Sequence, residues 1–166
     1  AVVLPGVGAF DDCINALGRQ HLLEASRQFI RTGKPFLGIC VGYQALFEKS
    51  EEFNSCAAGL GVFPGKVVRF DAKPGLKVPQ IGWNQVEVLR PECPLYRNIP
   101  SGTYFYFVHS FYPQADEAIA ATRTVYGEPF VSSVWRDNVF ATQFHPEKSQ
   151  SAGLKLLQNF IEFAKL

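Results

Sequence analysis

The first apolar run, Ala1-Val2-Val3-Leu4, has no polar interruption and predicts a buried strand ahead of Pro5-Gly6. From Phe10 to Thr32 the period changes. Ile14, Leu17, Leu22, Ala25, Phe29 and Ile30 recur at near-helical spacing, so this stretch is predicted mostly helical, with Gly18 as a break. Asp11 and Asp12 suit the positive end of such a helix, and Gly33 before Lys34-Pro35 suits its stop. Phe36 to Cys40 is a second short apolar run, a buried strand, and Val41 to Phe47 is predicted as the following helix. The order β-α-β-α favours a parallel sheet with helices on both faces.

The middle of the chain has a different rhythm. Lys66 to Phe70, Gln85 to Leu89, Thr103 to His109, Ala118 to Tyr126, Pro129 to Arg136 and Val139 to Phe144 read as strands. Tyr126-Gly127-Glu128 and Arg136-Asp137-Asn138 are turn signals between them, so these strands are expected as hairpins and antiparallel additions. The chain closes on a helix, capped by Ser149 or Ser151, with Leu154, Leu157, Ile161 and Ala164 along one face. The fold class is therefore α/β. It is an open, mostly parallel sheet with helices on both faces and antiparallel strand-rich additions, in one domain over residues 1–166.

Composition narrows the possibilities. Hydrophobic residues make up 47% of 166, enough for a full core in one domain. Lys and Arg number 16 against 15 Asp and Glu, with no basic block, so nucleic acid is not an expected partner. The longest apolar stretch, Phe36 to Phe47, is too short to span a bilayer and contains Gln44, so no membrane role is expected. Cys13, Cys40, Cys56 and Cys93 form no C-x-x-C pair and no metal-ligand spacing with the three histidines. That favours a reducing cytoplasm and no metal. The chain has no Met and opens inside an apolar run, which predicts that its N-terminus has been lost.

The densest chemistry lies in Phe36-Leu37-Gly38-Ile39-Cys40-Val41-Gly42-Tyr43-Gln44. A strand entering a helix through G-x-C-x-G has the pattern of a nucleophile elbow with Cys in place of Ser. The glycines permit a tight turn, and a helix N-terminus behind the sulfur favours thiolate. Taken alone, Cys40 also fits a buried structural cysteine. A thiol nucleophile needs a base. His21 sits among polar residues of the first helical region and reads as a surface residue, whereas His145 follows a strand in Phe144-His145-Pro146-Glu147. Glu147 is placed to accept from the imidazole and so complete a triad. Alone, His-Pro-Glu also fits a plain turn. Pro5-Gly6-Val7-Gly8 leaves the first strand through two glycines and suits backbone donors to an oxyanion, with the Val41 N–H as the second donor. Gly6-Val7-Gly8 is only half a dinucleotide fingerprint, because residue 11 is Asp.

Pro5-Gly6-Val7-Gly8, Gly38 to Gln44 and Phe144-His145-Pro146-Glu147-Lys148-Ser149 together resemble the class I, triad-type glutamine amidotransferases. Pro79 to Asn84, Tyr104 to Ser110 and Lys148-Ser149 make the chain similar, over nearly its whole length, to the glutaminase subunits of imidazole glycerol phosphate synthase in histidine biosynthesis. The resemblance implies hydrolysis of L-glutamine by Cys40, His145 and Glu147, without a cofactor. It implies oxyanion donors at Val7-Gly8 and Val41, with the Val7-Gly8 peptide rotating first, and glutamine held by Gln44, Glu52, His109 and Ser110. It also implies a heterodimer with a (β/α)8-barrel cyclase that receives the ammonia through a channel. Trp83, Asn84, Tyr106 and Lys148 would face that partner; without the resemblance they read as a core Trp and Tyr and a surface Lys. The chain departs from the family pattern at Val41, Tyr43 and Ala141, and a leading strand-helix unit of the family has no counterpart. That unit's loss is expected to expose sheet edge and to leave the chain folding poorly alone. The same residues would also suit a surface-sugar amidotransferase or a silent partner-binding fragment.

Overall fold

Six strands form the main sheet of the computed structural model, which describes residues 1–166. In chain order the elements are β1 (Val2–Gly6), α1 (Phe10–Arg19), α2 (Leu22–Arg31), β2 (Phe36–Cys40), α3 (Val41–Gln44), β3 (Lys49–Ser50), β4 (Lys66–Arg69), β5 (Gln80–Gln85) and β6 (Glu87–Val88). They continue as β7 (Tyr104–His109), β8 (Phe111–Pro113), β9 (Ala120–Tyr126), β10 (Glu128–Arg136), β11 (Val139–Thr142) and α4 (Gln150–Ala164). The main sheet runs β1-β2-β11-β10-β9-β6, while β3-β4-β8 form a smaller sheet and β5-β7 a two-stranded ribbon. β2 lies between two parallel neighbours, β1 and β11, which is why all five of its residues are buried. Outward from β11 the pairings turn antiparallel. This is the α/β sheet with antiparallel additions that the order of elements predicts.

Alternate residues of the strands point to opposite faces, and each face has its own core. Leu37, Ile39 and Phe140 cluster with Phe105 and Phe107 of the ribbon and with Leu156 and Phe160 of α4. Phe36, Val139 and Ala141 cluster on the other side with Phe10 and Ile14 of α1 and with Tyr43. No helix is long and apolar enough to cross a membrane.

Several elements differ from the sequence expectation. β1 is an edge strand with alternating burial, not a buried one, and Val3 is 46% exposed. The stretch from Phe10 to Thr32 is two helices. The break falls at His21, whose φ of 58° lies in the left-handed region, and not at Gly18. The helix expected from Val41 to Phe47 stops after one turn. The carbonyls of Ala45, Leu46 and Phe47 accept from Leu60, Val62, Phe63 and Gly61, so they are not free to continue a helical ladder. β5, missed because Gly82 interrupts it, holds Gly82 at φ 133°, a conformation that a side chain resists.

The inward face of α4 is shifted from the apolar stripe. Gly153, Leu156, Asn159 and Phe160 are buried, while Leu154 and Ile161 are 65% and 53% exposed. Two contacts set that rotation. A Cβ on Gly153 would stand 1.8 Å from the Pro146 carbonyl oxygen, and the Asn159 amide donates to the carbonyls of Leu95 and Arg97, each at 2.8 Å. Ser149 precedes α4 but makes no side-chain cap; its hydroxyl donates to the His145 carbonyl at 2.6 Å and accepts the Tyr106 N–H at 2.9 Å.

Candidate active site

Three adjacent parallel strands, β1, β2 and β11, end beside one another, and the residues that follow them converge. Val7 and Gly8 follow β1, Cys40 ends β2, and His145 comes shortly after β11. This is where open α/β sheets meet their ligands. A cavity of about 350 Å3 opens there. Val7, Gly8, Cys40, Val41, Gln44, Glu52, His109, Ser110, His145 and Lys148 all border it.

Cys40 sits at φ 55° and ψ −109°, outside the usual range for a residue with a side chain. The junction is held by backbone in direct contact. A Cβ on Gly42 would lie 1.9 Å from the Leu4 carbonyl oxygen, and one on Gly38 would lie 2.7 Å from that of Gly42. A helix N-terminus was expected to favour thiolate, but α3 is a single turn, too short for a substantial dipole. Burial instead dominates and pushes the Cys40 thiol up to about 12. The Val41 N–H, Lys148 and Gln143 pull it down, and Glu147 pushes with the burial.

The His145 backbone is fixed from both sides: its N–H donates to the Tyr106 carbonyl at 2.9 Å, and its own carbonyl accepts from Ser149. Its Nδ1 lies 2.6 Å from Glu147 Oε1. A carboxylate only accepts, so Nδ1 carries the proton and Nε2 is left as the basic nitrogen. Nε2 is buried and has no hydrogen-bond partner. Glu147 stands behind the imidazole, off the cavity wall.

The remaining expected residues are engaged as follows. Gln44 Nε2 donates to the Phe111 carbonyl at 3.0 Å and to Gln143 Oε1 at 3.3 Å. Glu52 accepts the Phe10 N–H at 2.8 Å, at the start of α1, and partial burial raises its carboxyl. His109 is buried among Phe70, Phe107 and Phe130, with Nδ1 2.8 Å from the Phe111 carbonyl and Nε2 2.8 Å from the Gln80 amide. Burial lowers His109 to about 4, so it is neutral. Its polar atoms therefore serve the fold, and only its surface faces the cavity. The Ser110 carbonyl accepts from Phe70.

Trp83, Asn84 and Tyr106 do not border the cavity. They lie on the β5-β7 ribbon, where Trp83 is 46% exposed and packs edge-to-face on Tyr106 at 6.0 Å. The Asn84 amide donates to the Val125 carbonyl at 2.9 Å. Sequence reasoning missed Pro79, Val108 and Phe111 on the cavity wall and Gln143 beneath Cys40. Gln143 is wholly buried and polar, at the end of a buried strand. That mismatch between residue type and place was the available signal.

The profile of the family described as Glutamine amidotransferase class-I matches residues 1–163. Among curated proteins, the imidazole glycerol phosphate synthase subunit HisH of Synechococcus elongatus is 49% identical over 162 residues, covering 96% of this chain and 74% of that one. The HisH subunit of Syntrophotalea carbinolica is 50% identical over 169 residues, covering 96% and 79%. Among solved structures, PurLQS from Thermotoga maritima superposes with a TM-score of 0.70 at 18% identity, over 97% of this chain and 79% of its own. A crystal structure of a glutamine amidotransferase gives 0.71 at 18% identity, over 99% and 78%. Both are likenesses of fold. With its profile matched almost end to end and its relatives half identical, this chain belongs to the class I glutamine amidotransferases.

Proposed function

We propose that this chain is the glutaminase subunit of imidazole glycerol phosphate synthase, hydrolysing L-glutamine to glutamate and ammonia for a cyclase partner. One observation carries the chemistry. Cys40 and His145 border the same cavity, and Glu147 lies 2.6 Å from the far nitrogen of the imidazole. Identity of about half to HisH subunits carries the assignment within the family.

The reaction we assign runs through these residues. His145 Nε2 takes the Cys40 proton as Sγ attacks the glutamine carboxamide carbon. The negative oxygen of the tetrahedral adduct is met by backbone N–H groups at Gly8 and Val41. The imidazolium, steadied by Glu147, returns the proton to the departing nitrogen, which leaves as ammonia, and a γ-glutamyl thioester remains. Water then gives a proton to Nε2 and its hydroxyl to the acyl carbon; the carbon–sulfur bond breaks, the sulfur takes the proton back from Nε2, and glutamate leaves with thiol and neutral imidazole restored. Glu52 is the carboxylate on the cavity wall, and it suits the ammonium of the amino acid.

The partner we assign is a (β/α)8-barrel cyclase, docked on the ribbon in a heterodimer. Ile81, Trp83 and Tyr104 expose 63%, 46% and 53% of their surfaces along that ribbon, while Val108 of β7 reaches the cavity wall. Apolar surface at the rim of a catalytic cavity suits a lid made by another protein. The test is glutamine hydrolysis by the chain with and without the cyclase and its nucleotide ligand. Hydrolysis should rise with both present and vanish in Cys40→Ala. A Cys40→Ala chain that still released glutamate would overturn the triad.

A further inference from the structure

The difficulty at this site is the sulfur. Cys40 is 4% exposed, and burial holds its thiol neutral far above physiological pH. Attack needs donors that favour the anion. Apart from the backbone N–H of Val41, one side-chain group meets Sγ: the Gln143 amide, with Nε2 at 3.8 Å. Gln143 is wholly buried, and its own N–H donates to the Ser132 carbonyl at 2.8 Å, which fixes its backbone on β10.

The direction of the Gln143 amide is dictated by its neighbours. The Phe111 carbonyl can only accept, so Gln44 must turn its NH2 toward it. The second hydrogen of that NH2 meets Gln143, which must answer with its oxygen. Its NH2 is thereby left facing Cys40. Reversing Gln143 would set two NH2 groups against each other and aim a carbonyl oxygen at the thiolate.

We propose that Gln143 is a further residue of the catalytic machinery: its carboxamide N–H donates to Cys40 Sγ and favours the anionic nucleophile, with Gln44 fixing the direction of that bond. Gln143 lies off the cavity wall, so it acts on the sulfur and not on the bound substrate. The proposal rests on Cys40 as the nucleophile and holds whatever amide is hydrolysed.

Iodoacetamide reacts with the thiolate, so the rate of Cys40 alkylation reads the anion without any substrate. It is followed on the full chain by peptide mass spectrometry, which separates Cys40 from Cys13, Cys56 and Cys93. Gln143→Glu keeps the acceptor for Gln44 and loses the donor, while Gln143→Met keeps the approximate volume and loses both. Each should slow alkylation near neutral pH by roughly tenfold. Gln44→Leu should slow it less, and should add nothing in the Gln143→Glu background. A folded Gln143→Glu chain that alkylates at the wild-type rate overturns the proposal. If Gln143→Met does not fold, the glutamate variant decides. Alkylation that depends on Gln143 in a chain with no glutaminase activity would count against the proposed function alone; normal glutamine turnover by Gln143→Glu would count against this proposal alone.

Discussion

Glu147 and His145 show how little separates a working imidazole from a misdirected one. The 2.6 Å contact to Nδ1 sets the tautomer, yet the Glu147 side chain is 47% exposed, so water softens its charge. Glu147→Gln is therefore expected to lower glutamine turnover by roughly 10²-fold, less than the loss seen when a buried triad carboxylate is replaced. Turnover within a few-fold of wild type would remove Glu147 from the mechanism. His109 makes a different kind of prediction. Its folded value of about 4 lies below the ordinary 6.5, because burial disfavours the charged ring. As pH falls below about 6.5 the unfolded chain binds a proton that the folded chain refuses. Stability present above that pH should then fall by about 1.4 kcal/mol per pH unit until about pH 4. Denaturant melts of wild type and His109→Gln between these limits test it; equal slopes would refute it. Cys40, His145 and Glu147 could be picked out as candidates from motif spacing, and the structure brings Cys40 and His145 to one cavity with Glu147 against the imidazole. Gln143 could not, since its contacts with Gln44 and the sulfur come from packing.

At the scale of elements, the strands of the sheet were readable and the helices less so. The apolar run of β2 is buried at all five residues, whereas the similar run of β1 proved a half-exposed edge strand. α4 misleads because its buried face holds Gly153 and Asn159, which apolar periodicity counts as outward. Tertiary hydrogen bonds, not hydrophobicity, chose its rotation. Asn159→Ala should cost about 1–3 kcal/mol, since the buried Leu95 carbonyl and the part-buried Arg97 carbonyl lose their donor. Ile161→Ala, on the supposed inner face, should cost much less, because Ile161 is 53% exposed. Chemical denaturation of the pair checks the order, and the reverse ranking would contradict the observed rotation of α4. The shortened α3 has the same lesson. Residues 60–63 took the carbonyls that local sequence had assigned to a helix.

At the scale of the molecule, the site exists because parallel neighbours end together. Residues far apart in sequence, Gly8, Cys40 and His145, follow β1, β2 and β11, and their common edge could be inferred from element order though not measured from it. The exposed ribbon beside them was readable only through family likeness, because Trp83 and Tyr106 look like core residues by composition. Trp83→Ala should leave glutamine binding unchanged and weaken association with the cyclase by about tenfold or more, read by titration calorimetry. Unchanged association would move the docking face elsewhere.

The glycines around the nucleophile also set how far this site tolerates change. Gly42 and Gly153 are glycine for want of room, with a backbone oxygen where a methyl would go, while Gly8 has open space and is glycine for its φ of 84°. Saturation mutagenesis scored for folded protein should separate the two causes. Positions 42 and 153 should reject every replacement alike, alanine included. Position 8 should grade its replacements by backbone preference, with Asn and Asp surviving best and Val and Ile worst. Variation that retunes this enzyme thus has an opening at the loop after β1 and none at the seam beneath the sulfur.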